Sequence, residues 1–536
     1  MTKVSIDTAD FLRLLGRDLS RAELEESLPM MGLAFEGWEG PAFEVDIFAN
    51  HPDWYSAEGL ARSFRGFLGA EPGLRRFEVG APHHEFRLLP GVERVRPFAV
   101  GGFVRDLALD EALLKSLITL QERLHTTVGR KRAKVAIGIH DADTVTPPFT
   151  YRAVAPDSVR FVPLGAEVPM TPAEILVGHE KGKEYAPLLA GAEVVPLIED
   201  AKGQVLSLPP IINGTVTQVT SHTRDLFLDV TGTGEESVTV VLHILMAALA
   251  DRGGRLEAVH LVRGASRRTT PDLAAHPVTL DLDYAGRLLG IELTTKDAID
   301  ALTRMRYDVT AKGGSLTVLV PAYRADILHL VDIVEDIAVG YGYGRIPARL
   351  PQRATVGTTA PSERLAEAVR PLMNGYGFQE VVALPLTPRE EPVSSQGRVA
   401  VRNPISEETA WVRGALLPGL LRLLEVNKHR DLPQRVFEVG AVASPTGNRL
   451  HLAGAAVSAK AGFTEAKSIV QGLLRDLGAS ADFVPVQDGN YLDGRCAAAA
   501  REGLEFGRFG EVHPRILDAH QLRHPVVAFE FDLSAL

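Results

Sequence analysis

Three acidic residues stand where a helix would bring their carboxylates onto one face: Asp332, Glu335 and Asp336, at i, i+3 and i+4. A fourth, Asp326, lies just ahead of them. Like charges at this spacing repel by roughly 0.2–0.5 kcal/mol per exposed pair, so the cluster calls for a counter-charge. Carboxylate oxygens suit a hard cation, and Mg²⁺ takes one or two of them plus water or other donors. An incomplete shell would leave room for ligands from another chain. The same spacing also describes a solvated acidic face, with Asp326 as the helix N-cap. Spacing alone leaves both readings open.

Other motifs lead less far. Gly340-Tyr341-Gly342-Tyr343-Gly344 looks like a phosphate loop but follows a helix, whereas a phosphate cradle precedes one. It reads as a helix stop. Gly178-His179-Glu180-Lys181-Gly182-Lys183-Glu184 lacks one spacer of a P-loop, and Glu184 replaces the magnesium-binding hydroxyl. Cys496 sits among alanines with Arg495 as its one close basic neighbour, the setting of an inert core thiol. The turn Arg130-Lys131-Arg132, with Lys134, could touch phosphate or be plain cationic surface.

The elements that must position these residues follow from the rest of the chain. Its 536 residues exceed what one core can serve and imply roughly three to five domains. A net charge of −11 excludes a whole-chain electrostatic nucleic-acid binder, so any such contact needs local basic patches or a partner. One cysteine excludes an internal disulfide or a Cys-based cluster within the chain and fits a reducing cytoplasm. Asp7 interrupts the start where a signal peptide needs an apolar run. The longest apolar stretch, Val238 to Ala250, falls short of the ~20 residues of a membrane span and reads as a buried helix.

Period and punctuation predict a strand at Lys3–Ile6, a helix over Asp10–Leu28, a strand at Phe43–Ile47 and a helix near Ser56–Leu68. A helix at Leu109–Leu124 precedes a nearly continuous apolar strand at Lys134–Ile139, as expected inside a covered sheet, with another strand at Leu226–Val230. Gly264–Ala275 reads as an exposed linker. Beyond it come a strand (Val278–Leu282), a helix (Lys296–Met305) started by Thr294 and Asp297, a hairpin turning at Lys312-Gly313-Gly314, and a helix from Ile327 to Val339. Helix–hairpin–helix order suggests a winged-helix-like module. From 355 onward lies a larger α/β region closing with the alternating strand Ala528–Leu533.

Several segments resemble, in family order, the β subunits of phenylalanine–tRNA ligases of the shorter archaeal and eukaryotic type. The longest is His125-Thr126-Thr127-Val128-Gly129-Arg130-Lys131-Arg132-Ala133-Lys134-Val135-Ala136-Ile137-Gly138-Ile139-His140-Asp141. With it go Leu206-Ser207-Leu208-Pro209-Pro210-Ile211-Ile212-Asn213, Asp229-Val230-Thr231-Gly232 and Pro321-Ala322-Tyr323-Arg324-Ala325-Asp326-Ile327. Asn403-Pro404-Ile405-Ser406, Phe437-Glu438-Val439-Gly440 and Gly510-Glu511-Val512-His513-Pro514 extend it to the carboxyl-terminal half. His51 departs from the family pattern, standing where an arginine is expected in an Asn-Arg-Pro-Asp turn.

The resemblance implies a multidomain α/β and α+β chain. An N-terminal α/β domain (1–88) and an editing-type domain (89–270) are followed by a winged-helix-like module with the acidic magnesium helix (271–352). An inactive, class II synthetase-like antiparallel-sheet domain (353–536) would contact an α subunit. It implies a cytoplasmic complex of two α and two β chains that uses ATP and Mg²⁺ to charge tRNA(Phe), the synthetic site lying on α, with no membrane association. It makes Asp326, Asp332, Glu335 and Asp336 ligands of a Mg²⁺ shared with α. It also implies hydrolysis of mischarged Tyr-tRNA(Phe) by a pocket containing Ser207, Asn213, Asp229 and Thr231, which would orient water and hold the amino acid. Residues of these types also tidy strand ends and turns. Two other readings are a freestanding editing hydrolase and a non-catalytic interaction protein; co-purification with an α chain separates them.

Overall fold

The computed structural model describes residues 2–351, 355–395, 397–444 and 446–535. The chain forms two compact units, Met1–Leu350 and Pro351–Leu536. The expected boundary between residues 352 and 353 lies outside the described residues. Three of the four expected domains are gathered in the first unit.

That unit opens with an antiparallel sheet of Thr2–Asp7, Ala42–Ile47 and Ala34–Glu39, in that order. The single helix expected over Asp10–Leu28 is two, Thr8–Leu15 and Arg21–Met30. Gly16, at φ 71°, closes the first in the left-handed conformation, and a Ser20–Glu23 capping box starts the second. Helix Ala57–Phe67 packs on the first of these helices.

A ten-stranded mixed sheet dominates the unit. Its path runs Ile212–Asn213, Val205–Leu208, Val195–Glu199, Phe149–Val154, Val79–Leu88, Arg255–Arg263, Phe98–Arg105, Leu226–Gly232 and Val135–Asp141. Strand Val79–Leu88 thus belongs to this sheet rather than to the N-terminal domain where the 1–88 boundary put it. The tenth strand, Ser266–Thr270, corrects the expected linker: after the turn at Gly264 it folds back on Arg255–Arg263. Helix Glu235–Asp251 is the buried helix expected from its apolar run, packed against Phe98–Arg105 and Leu226–Gly232. Phe227 is fully buried among Phe149, Phe103 and Phe86, at ring separations of 4.2, 5.1 and 5.8 Å. Each such side chain contributes roughly 1.5–3 kcal/mol on burial.

The third sheet, His276–Asp281, Ser315–Val320 and Asp308–Lys312, carries helices Leu282–Leu289, Thr295–Arg304 and Leu330–Tyr341. The expected helix–hairpin–helix order is present, with Gly313 and Gly314 at φ 56° and 83° in the turn. The glycine-rich segment ends the last helix, as expected, with Gly342 at φ 96°.

The second unit is built on a seven-stranded sheet, antiparallel but for its short edge strand Gln379–Glu380. Alternation along Val526–Asp532 explains its two cores: Val527, Phe529 and Phe531 face one, Val526 and Ala528 the other. Helices Pro361–Gly375 and Phe463–Asp476 cover the first face, and Leu417–Val426 and Pro514–Ala519 the second. Glu530, between the phenylalanines, accepts from the backbone N–H groups of Leu416 and Leu417 at the start of helix Leu417–Val426. Cys496 is buried, and burial pushes its thiol up to about 12, as befits an inert core residue.

Within the first unit, Arg62 is wholly buried and donates to Asp251 at 2.6 Å, joining helices 57–67 and 235–251. Replacing one partner of such a pair strands the other charge, at a cost of about 3–5 kcal/mol. Arg62→Ala is therefore expected to lower the urea midpoint markedly. The double variant with Asp251→Ala should lose less than the sum of the single variants.

Candidate functional site

Ser207, Asn213, Asp229 and Thr231 all line one cavity of about 680 Å³ in the first unit. Its walls come from opposite ends of the ten-stranded sheet: residues 136–138 from the last strand, 207–213 from the first two. Side-chain bonds span the seam. Asn213 Nδ2 donates to Ile139 O at 3.4 Å, and Arg132 Nη1 donates to Ile211 O at 3.0 Å. The sheet curls until its ends meet, and the cavity occupies the join.

Strand alternation builds the floor. Asp229 lies opposite Gly138 and Thr231 opposite Ala136, so the polar side chains face small neighbours. Asp229 occupies the space a side chain at 138 would need, since a Cβ there would fall 1.9 Å from Asp229 Oδ2. Across that gap Asp229 Oδ2 reaches His140 Nε2 at 2.7 Å. Its other oxygen, Oδ1, makes no hydrogen bond to protein among the described residues, and Asp229 lines the cavity. Thr231 Oγ1 accepts from Arg96 Nε at 3.0 Å, leaving its own proton free to donate. Arg96 is buried, which pulls its guanidinium down to about 10, and also holds Thr231 O and Ala133 O. Ser207 is 3 % exposed, and its Oγ has no hydrogen-bond partner among the described residues. A buried hydroxyl without a partner costs about 1–3 kcal/mol, which a ligand group could recover.

Sequence reasoning missed one wall of this cavity, formed by Gln121, Glu122, His125 and Arg132. Ile137 N–H donates to His125 Nε2 at 2.9 Å, so the ring proton sits on Nδ1 and is given to Glu122 Oε1 at 3.1 Å. Burial lowers the His125 pKa and keeps the ring neutral. Arg132 donates to Glu122 at 3.0 Å and lies over the Tyr185 ring at 4.5 Å. Arg130, Lys131 and Arg132 take left-handed φ of 48°, 52° and 65° in succession, a costly conformation for residues with a Cβ. The bulky cationic tripeptide was the available signal, because its turn bends Arg132 inward.

The acidic cluster is arranged differently from the expectation. Asp336 is buried, accepting from Arg324 at 2.8 Å and from the Tyr307 hydroxyl. Asp326 is not the N-cap: it takes Arg324 through Nε at 2.8 Å and Nη2 at 2.5 Å. Burial opposes its charge, but Arg324 outweighs this and holds the carboxyl below its ordinary value. Asp332 turns back to the helix start, accepting from the N–H groups of Leu328 and His329 at 2.8 and 2.6 Å. Glu335 is exposed. His51, in the departing turn, stacks on Trp54 at 3.6 Å and lies 3.8 Å from Asp326.

The structure thus brings Asp326 and Asp336 together on Arg324, turns Asp332 to the backbone at the helix start and leaves Glu335 exposed. As four direct ligands of one Mg²⁺ they do not fit, because the inner two already hold a guanidinium. Among the described residues no three His, Cys, Asp or Glu side chains converge as a metal cage. Asp332 and Glu335 alone match the one or two carboxylates that Mg²⁺ takes from a chain.

Comparisons identify the class. Residues 346–533 match the family described as phenylalanyl tRNA synthetase beta chain CLM domain, and residues 278–343 match the tRNA synthetase B5 domain. Both are modules of aminoacyl-tRNA synthetases. A phenylalanine–tRNA ligase beta subunit of Methanothrix thermoacetophila is 42% identical over 522 residues, covering 96% of this chain and 97% of its own. That of Archaeoglobus fulgidus is 41% identical over 543 residues, covering 100% and 98%. An N-terminal fragment of the phenylalanyl-tRNA synthetase beta subunit from Pyrococcus horikoshii, solved by crystallography, has a TM-score of 0.61 at 38% identity. It covers 63% of this chain and 99% of that one. The chain belongs to the phenylalanine–tRNA ligase beta-subunit family.

Glu122 yields a pH test. Its carboxyl is lowered to about 2, chiefly by the hydrogen bond from His125, against the opposing effect of burial and with smaller help from Arg132. A depressed carboxyl stabilises the fold above its ordinary value and loses that contribution as pH falls through its folded value. The thermal-midpoint gap between wild type and Glu122→Gln is expected to be full above 4.5 and to close toward about 2. A gap independent of pH would remove the charge-based account of this wall.

Proposed function

We propose that this chain is the non-synthetic partner of an α subunit in a cytoplasmic phenylalanine–tRNA ligase of two α and two β chains. The α chain would use ATP to attach phenylalanine to tRNA(Phe), while this chain hydrolyses mischarged Tyr-tRNA(Phe). The observation that carries the hydrolytic reading is the convergence of Ser207, Asn213, Asp229 and Thr231 on one cavity.

In that cavity Asp229 Oδ1 would accept a proton from water as the water oxygen bonds the ester carbonyl carbon. The bond from that carbon to the ribose oxygen then breaks, and the ribose oxygen takes the proton, leaving free tyrosine and tRNA. Thr231 O–H and the Asn213 amide would hold the carbonyl and amino groups. Ser207, with an unpartnered Oγ, suits the phenolic hydroxyl. Phenylalanine would leave that group unpaired, which is how a polar pocket separates two such substrates.

Mg²⁺ would sit at the α–β junction, with Asp332 and Glu335 as this chain's share of the donors and the remainder from α and water. When bound it would supply positive charge beside Asp332 and Glu335 of this chain.

Two tests follow. In the co-expressed complex, Asp229→Ala is expected to slow Tyr-tRNA(Phe) deacylation by about 10²–10⁴-fold, the range for general acid–base groups. Phenylalanine charging should persist, and undiminished deacylation would remove Asp229 from the chemistry. Asp332→Ala with Glu335→Ala should raise the Mg²⁺ concentration needed for α–β assembly on size exclusion. An unchanged Mg²⁺ profile would sink the shared-metal reading.

A further inference from the structure

We propose that His140 is a positioning residue for hydrolysis: it fixes the Asp229 carboxylate, through a Thr217–His140–Asp229 chain, so that Oδ1 faces the cavity. This rests on the hydrolytic reading above and adds a residue outside it. His140 is fully buried. Its Nε2 lies 2.7 Å from Asp229 Oδ2, and its Nδ1 lies 2.8 Å from Thr217 Oγ1.

The donors can be assigned. An ionised carboxylate only accepts, so the ring proton is on Nε2. Nδ1 of the neutral ring then accepts from the Thr217 hydroxyl. Competing acceptors for that hydroxyl, Gly214 O at 3.2 Å and Leu206 O at 3.5 Å, are farther away. Each link therefore donates toward Asp229. In the familiar aspartate–histidine arrangement the imidazole faces the substrate and the carboxylate orients it; here the order is reversed. The imidazole is sealed inside, stacked near Phe227 at 6.2 Å, and the carboxylate borders the cavity.

The backbone enforces the pair. His140 is two residues beyond Gly138 on the same strand face, diagonal to Asp229, and the carboxylate crosses to it over Gly138. A Cβ at 138 would fall 1.9 Å from Asp229 Oδ2 and 2.5 Å from His140 Nε2. Other titratable groups around the pair are Arg96 and Tyr151, whose fields reach Asp229, and Glu122, His125, Arg132, His179, Glu180 and Lys181 on the cavity wall. None of these hydrogen-bonds Asp229 among the described residues, so its sole donor is His140.

The test measures deacylation of tRNA(Phe) mischarged with tyrosine by the co-expressed α–β complex, from pH 4.5 to 8, with co-elution on size exclusion verifying folding. His140→Ala is expected to lower kcat by about 10²-fold, the scale of a misplaced reacting group, with KM little changed. His140→Gln can donate to Asp229 and accept from Thr217, so it should restore most of the rate. Gly138→Ala retains both groups but separates them, and should behave like His140→Ala. The proposal is overturned if Asp229→Ala abolishes deacylation while His140→Ala leaves the rate intact, or if the Ala and Gln variants fall equally. A wild-type complex that does not deacylate overturns the hydrolytic reading and this proposal with it.

Discussion

The ten-stranded sheet of the first unit bends until its end strands face each other, and the candidate hydrolytic cavity depends on that closure. Val135–Asp141 and Ile212–Asn213 are the two termini of the strand path, yet Asn213 reaches Ile139 across the gap. A short end strand leaves backbone groups unpaired, and side chains from the opposite end take them up. At the join lies the cavity, with Ser207, Asn213, Asp229 and Thr231 among its lining residues. Small residues at 136 and 138 deepen it, and the aromatic cluster about Phe227 backs its floor.

Around this sheet the unit is held by buried arginines that take carboxylates from other elements and, for Arg324, also from its own loop. Arg62 holds Asp251, Arg252 holds Asp10 and Glu58, and Arg324 holds Asp326 and Asp336. A planar guanidinium can serve two carboxylates at once, which a point charge cannot do with the same directionality. These bonds connect the N-terminal helices to the long buried helix, and the acidic helix to the strand end before it. They also recast the acidic cluster: two of its four acids already share Arg324 inside the chain.

Much of the fold was legible. The strands at 43–47, 134–139 and 226–230, the buried helix at 238–250 and the glycine hairpin all lie where period and turn residues put them. Failures have local causes. Gly16 cut one expected helix in two because a left-handed residue ends the hydrogen-bond ladder. The segment with Arg267 and Arg268 looked like a linker because an exposed strand at the margin of a pairing carries charge as readily as a loop does. Asp336 looked solvent-facing because helical spacing specifies which residues share a side, not what the neighbouring elements bring to it.

The sequence by itself determined the family and most element types, and it singled out Ser207, Asn213, Asp229 and Thr231 as candidates, since ordered local segments carry that information. It could not show that these four share a cavity, that His140 lies behind Asp229, or that Arg324 stands between Asp326 and Asp336. In the cavity those facts belong to contacts between residues tens of positions apart, 89 in the case of His140 and Asp229, and even Arg324 meets Asp336 twelve positions away. Strand order and sheet closure create such contacts, and neither leaves a period in the chain. Tertiary structure alone decided which polar groups met each other and which were left facing open space.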